Sequence, residues 1–380
     1  MPFDYDTFKL LWWCIIGLLA AAFALTEGFG LGIGMLLPFA GRDDEQRRII
    51  LNTYGPVAEG NQTWLVATAG CVFAVWPPVY AVALASLYAL LMPALFALLL
   101  RPVALHYRSK RPAAAWRAGW DGCLCAASLL ATLAFGAAIG NLAQGLPFRF
   151  DGAMRMESAG SLQTLLTPGA ALGGGLGVSL LTMHGAAWLQ LKAQGDIARR
   201  ARAWAMAAAL LSALLAAGAG LWLGYGIDGY RIIVMPDTSL AFLPPLKMVE
   251  RAAGAWLDNY RRWPLTLTLP AGAFGSLALV MWFSARRRAL PALLASGAAV
   301  ASMLAATAAA MFPFLLPSSL APNDSLTVWD AAASHNSLAV MFWATAILLP
   351  LVAAYSIWVY RVLRGKVTAA WLREHEHSAY

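Results

Sequence analysis

Thr26 to Phe39 reads TEGFGLGIGMLLPF, and a little further on Glu59 to Leu65 reads EGNQTWL. Each stretch sets one carboxylate among apolar residues and glycines. An ionisable side chain at mid-bilayer costs roughly 2.5 kcal/mol or more, so a chain keeps one there only where it faces protein, water or a partner charge. Glu27 is therefore the first functional candidate. Gly28 with Gly32 and Gly30 with Gly34 form two overlapping small-xxx-small pairs on different sides of one helix, which should touch neighbours on both flanks. Glycine is a poor helix former, so this density makes sense only where lipid forces backbone pairing and close packing rewards the missing side chains.

The whole chain fits that setting. Hydrophobic residues make up 60% and charged residues 12%, which excludes an ordinary soluble domain and indicates a polytopic membrane protein. The N-terminus, MPFDYDTFKLLWWC, starts acidic and has no small-residue cleavage site after its apolar run, so it reads as a retained first span. Cys14, Cys71, Cys123 and Cys125 all fall in apolar segments and suggest no disulfide and no metal site.

Hydropathy predicts an all-α protein of nine transmembrane helices over 9–39, 62–77, 78–100, 117–144, 162–191, 202–226, 264–285, 289–316 and 335–360. Trp76-Pro77-Pro78 reads as a tight turn between the second and third spans. Nine crossings place 19 of the 27 Lys and Arg on one side, which the positive-inside rule makes cytoplasmic, with the N-terminus outside and the C-terminus inside. The expected organisation is one integral membrane domain over 1–380, with a long outer loop at 227–263 and a cytoplasmic tail at 361–380. On this topology Glu59 lies at the cytoplasmic entrance of the second span. Glu27, in the first, sits about 18 Å in from the same side at 1.5 Å per helical residue. The two acids line one inward route.

Other marked positions have simpler readings. Asp121 suits a helix N-terminus. Arg101-Pro102 ends the third span, with the cation as an interface anchor. His184 is the single histidine well inside a span, too few for a bis-His haem site, and reads as a hydrogen-bonded core residue. His335 falls near the outer surface, and His375-Glu376-His377 form a solvated end. No Walker loop, dinucleotide fingerprint or nucleophile elbow is present, and the basic balance is explained by the loops without nucleic acid.

TEGFGLGIG (Thr26 to Gly34), EGNQTWL (Glu59 to Leu65), RPVALHYRSK (Arg101 to Lys110), GNLAQGLPF (Gly140 to Phe148), YGIDGY (Tyr225 to Tyr230), FPFLLPSS (Phe312 to Ser319) and SLTVWDA (Ser325 to Ala331) follow one another along nearly the whole chain. Taken together and in this order they resemble subunit II of the cytochrome bd quinol oxidases. The family usually has Asp-Gly-Phe-Asp-Leu-Gly where this chain has Glu27-Gly28-Phe29-Gly30, and Trp-Asp-Gly-Asn where it has Ala58-Glu59-Gly60-Asn61. Both leading acids thus become Glu, while Gly30 and Ala58 carry nothing over.

The resemblance implies a respiratory terminal oxidase in the bacterial inner membrane, reducing O2 to water with electrons from quinol. It places haems b and d on subunit I and makes this chain a haem-free partner of nine helices, expected as two four-helix bundles plus one peripheral helix. In some members subunit II holds a structural quinone, and a small accessory subunit can join the complex. The expected role is to support subunit I and to contribute a cytoplasmic proton path, with Glu59 collecting protons and Glu27 relaying them. Asn61 and Gln62 hold bridging waters along it. The alternatives are a purely structural assembly subunit, in which the two acids only fix packing, and a secondary transporter, which requires interrupted segments in matching halves.

Overall fold

Each long apolar run of this sequence folds as a helix, because a backbone in hydrocarbon must satisfy its own hydrogen bonds. A computed structural model describes residues 3–238 and 244–374, so His375-Glu376-His377 lie outside the described residues. The chain runs α1 (Tyr5–Ala40), α2 (Asp44–Asn52), α3 (Ala58–Val75), α4 (Pro77–Ser86), α5 (Tyr88–Arg108) and α6 (Ala114–Gln144). A short hairpin, β1 (Phe148–Phe150) and β2 (Met156–Ser158), leads to α7 (Leu162–Leu165), α8 (Pro168–Lys192) and α9 (Gly195–Leu221). Then come β3 (Asp228–Val234), β4 (Met248–Ala253), α10 (Asp258–Arg262), α11 (Thr268–Ala285) and α12 (Ala289–Met311). The chain closes with β5 (Phe314–Leu316), β6 (Leu326–Thr327), α13 (His335–Val362) and α14 (Ala369–Glu374).

Among the described residues eight helices are long and apolar enough to cross a membrane, and a bent pair of segments brings the number to nine. That pair corrects the expected third span. Pro77 and Pro78 start α4 and turn the chain through 120°, but α4 is only ten residues long and the crossing is made by α5. Nor does α5 end at Arg101-Pro102. It accepts Pro102 within the helix and continues to Arg108, a full two turns further, so Arg101 is carried inward from the expected interface. The fifth span also divides, because Thr167 caps a new helix whose first residue is Pro168.

Close backbone approach sets the packing. Helices α8, α9, α11 and α12 surround one another, α1 packs against α8, α6 and α3, and α5 packs against α6. Gly136 and Gly140 of α6 meet Gly173 and Gly169 of α8, where an added Cβ would collide with facing backbone. Lipid offers no hydrophobic drive between helices, so such small-residue contacts carry much of the association. Helix α13 is the outlier, touching α1 and α3 along a narrow strip with most of its surface open.

Among the described residues of 227–263, expected as a loop, β3 and β4 pair antiparallel and α10 follows. This segment is pinned to the loop before α13, where Lys247 Nζ donates to Asp330 at 2.6 Å and the Val249 amide donates to Asn323 Oδ1 at 2.9 Å. That loop is tied in turn to the rest of its side: Asp324 accepts from the Phe150 backbone at 2.8 Å, and Tyr5 donates to the Ala333 carbonyl at 2.8 Å. Burial lowers the Lys247 pKa against the opposing pull of Asp330. On the opposite, basic face the described residues after α13 fold back against the helix ends. The Val367 amide donates to the Lys192 carbonyl at 2.9 Å and Leu372 of α14 is buried.

Candidate functional site

Glu27 is fully buried on α1, and its partner is Arg101 of α5, whose Nη1 forms an ion pair with Glu27 Oε1. Both side chains have 0% exposure. The guanidinium is used on all sides: Nη2 donates to the Tyr54 hydroxyl at 2.6 Å and Nε to Ser128 Oγ at 3.1 Å. The Tyr54 hydroxyl in turn donates to Glu27 Oε1 at 3.4 Å. The second carboxylate oxygen, Oε2, is buried with no hydrogen-bond partner among the described residues.

The glycines of the opening stretch build this cluster. Glu27, Gly30 and Gly34 are spaced i, i+3 and i+7, which puts them on one helix face. A Cβ on Gly30 would collide with the Tyr54 ring, and one on Gly34 with the Ser128 side chain. The missing side chains thus make room for the two hydroxyls that hold Arg101. Gly28 and Gly32 point to the other flank, where a Cβ on Gly32 would stand 2.9 Å from the Gly185 nitrogen of α8.

A second layer surrounds Phe29, which stacks on Trp188 with centroids 4.1 Å apart and meets Tyr54, His184 and Tyr360 edge-on. Asn61 joins three helices: its Nδ2 donates to the Thr26 carbonyl at 2.8 Å, and its Oδ1 accepts from Tyr360 at 2.7 Å. His184 lies between Ser296 Oγ at 2.8 Å and the Leu25 carbonyl at 2.9 Å, so both ring nitrogens are engaged.

Of the residues singled out in the sequence, Glu27 and Asn61 come together on adjoining turns of α1 and α3. Gln62 is partly buried, with Nε2 lacking a hydrogen-bond partner among the described residues. Glu59 stands apart. It is exposed in the first turn of α3, and two residues along a helix turn the side chain through about 200°, so the side of α3 that bears Asn61 faces away from Glu59. Glu59 and Glu27 therefore do not share a direct contact. Arg101 as an interface anchor is overturned, since its cation is the counter-ion of Glu27. Asp121 is not a helix-terminal carboxylate either: seven residues into α6, it accepts from Arg108 Nε at 2.5 Å and from Arg47 Nη1 at 3.1 Å.

Sequence reasoning missed Arg101, Tyr54, Ser128 and Tyr360. The available signal was Glu27 itself, because a buried carboxylate calls for a cation at similar depth. Chemically, one oxygen of Glu27 is neutralised by a guanidinium, while the other remains a free acceptor suited to a water or a proton.

A helical bundle with eight to nine candidate crossings among the described residues, and a buried ion pair on its first helix, defines an integral membrane subunit with a polar centre. The family model described as cytochrome bd terminal oxidase subunit II matches residues 8–363. The chain belongs to that family. It is 38% identical over 377 residues to cytochrome bd-I ubiquinol oxidase subunit 2 of Escherichia coli K12, covering 99% of this chain and 100% of that one. It is 36% identical to a probable cytochrome oxidase subunit 2 of Haemophilus influenzae, with the same coverage. The bd oxidase structure from Geobacillus thermodenitrificans matches with a TM-score of 0.68 at 17% identity, covering 94% of this chain and 99% of that one, which supports the fold. The chain is thus a subunit of a terminal oxidase complex, with a subunit I partner, and the transporter alternative falls away.

The family implies haems on the complex. In this chain His184 does not fit an axial ligand: both ring nitrogens are bonded within the protein and Phe29 packs against the ring.

Proposed function

We propose that this chain is the haem-free subunit II of a cytochrome bd-type quinol oxidase in a bacterial inner membrane, bracing the haem-bearing subunit and contributing a proton path from the cytoplasmic side. The observation that carries the path is the Glu27 cluster: an intramembrane carboxylate with one oxygen fixed by Arg101 and Tyr54 and the other without a hydrogen bond. Basic residues at the ends of α1, α5, α8, α11 and α13 make that face cytoplasmic by the positive-inside rule. Glu59 then stands at the cytoplasmic mouth, and Asn61 with Tyr360 links α3 and α13 to the turn of α1 that carries Glu27. Because Glu59 faces outward, water or the partner subunit completes the step between the two acids. The engaged nitrogens of His184 support placing the haems on the partner.

The sealed ion pair also supports a second reading, in which Glu27 and Arg101 only fix the packing of α1 against α5. Glu59→Gln and Glu27→Gln complexes separate the two. Compared at equal haem content, the path predicts oxygen consumption per haem lowered about 100-fold for an essential proton carrier. A structural role predicts lost haem or complex yield with unchanged turnover per remaining haem.

A further inference from the structure

The basic face carries a second feature that the proton path does not use. A cavity of about 340 Å³ opens where α8 and α13 end. Lys192, Arg364 and Lys366 line it beside the aromatic rings of Trp188, Tyr360 and Trp371. No carboxylate lines it, and among the described residues none of the three cations has an acidic partner. Elsewhere on this face Arg47, Arg108, Arg117 and Arg199 are each neutralised by an aspartate.

The site is built, not incidental. Lys192 Nζ donates to the Leu363 carbonyl at 2.7 Å and sits 5.3 Å from the Trp188 ring centroid. The Val367 amide closes the turn by donating to the Lys192 carbonyl, and Gly365, at φ +118°, supplies the conformation that lets the chain reverse beneath α13.

Trp188 and Tyr360 are shared with a second cavity, an apolar groove of about 460 Å³ along α1, α8 and α12. Leu25, Phe29, Leu293, Leu294 and Ala301 form its walls. A cationic pocket at the membrane boundary that adjoins an apolar groove across the Trp188 and Tyr360 rings matches a molecule with an anionic head and a hydrocarbon tail. We propose that this site binds an anionic glycerophospholipid, its phosphate held by Lys192, Arg364 and Lys366 and one acyl chain lying in the groove beside Phe29. A lipid seated there covers the Asn61–Tyr360 contact from the membrane side.

The test uses the intact oxidase complex, stripped of lipid in detergent, incubated with phosphatidylglycerol or phosphatidylcholine, repurified and assayed for retained lipid by mass spectrometry. Wild type is expected to retain phosphatidylglycerol in preference to phosphatidylcholine. The Arg364→Gln/Lys366→Gln variant should retain it about 30-fold less, at about 1 kcal/mol for each of the two basic residues near an anionic headgroup. Both side chains are exposed, so the haem spectrum should stay normal. The charge-matched Arg286→Gln/Arg288→Gln variant, on the same face outside the cavity, should retain lipid as wild type does. Equal retention of the two lipids, or undiminished retention by the pocket variant, would overturn the proposal. So would displacement of the lipid by inorganic phosphate alone, which would assign the pocket to a free anion, or recovery of a quinone in its place.

Discussion

Arg101 donates from Nη2 to the Tyr54 hydroxyl at 2.6 Å while the same guanidinium holds Glu27 through Nη1. Tyr54 comes from the turn that joins the basic face to α3, so this bond ties a loop residue to a charge pair whose two side chains are both fully buried. The Tyr54→Phe variant keeps the ring and its edge contact with Phe29 but removes the hydroxyl. It is expected to lose about 1.5–3 kcal/mol, the usual worth of a hydrogen bond to a charged group, seen as a lower melting temperature of the complex.

Removing the charge of Glu27 alone leaves Arg101 as an uncompensated buried cation. Glu27→Gln should destabilise the complex by about 3–5 kcal/mol, and replacing both partners by Glu27→Gln/Arg101→Met should recover most of that loss. A double-mutant cycle on thermal unfolding reads this directly. Additive losses would mean that the two side chains are not coupled.

The glycines divide into two kinds. A Cβ on Gly32 would collide with the Leu181 carbonyl of α8, whereas Gly60 has nothing within 4 Å. Gly32→Ala should cost about 1–3 kcal/mol by forcing α1 and α8 apart. Gly60→Ala in the first turn of α3 should be neutral or stabilising by up to about 1 kcal/mol. The yield of assembled, haem-containing complex separates them.

On the basic face, Asp121 joins Arg108 to Arg47, and Asp44 joins Arg108 to Arg117. The Asp121 side chain is 4% exposed and that of Asp44 is 42% exposed. Asp121→Asn should therefore cost about 2–4 kcal/mol, since it removes the buried carboxylate from Arg108 and leaves that guanidinium only the half-exposed Asp44. Asp44→Asn should cost less than about 1 kcal/mol and lose even that in high salt, because solvent screens it. Melting curves at two ionic strengths are the check.

Glu27 and its glycines were legible in the sequence because an acid within a long apolar run has few innocent explanations, and because small residues at helical spacing signal close approach. The crossings were legible from hydropathy. Arg101 was not, because an Arg followed by Pro resembles a helix end, and only the extension of α5 to Arg108 carries it inward. Tyr54 was not, because a tyrosine in a loop gives no sign that its ring fills the space left by Gly30 on another helix. The outward turn of Glu59 was implicit in its spacing, since residues 59 and 61 cannot face the same way on a helix, yet sequence proximity alone suggested a common route.

The most direct measurement follows proton uptake from the bulk with a pH-sensitive dye, as flash-released oxidase complexes react with oxygen. It compares wild type with Glu27→Gln preparations of equal haem content. A proton path through Glu27 predicts uptake slowed about 100-fold while the first electron-transfer step keeps its rate. Uptake at the wild-type rate in a variant with normal haem content would contradict it and leave the buried pair a structural fastening.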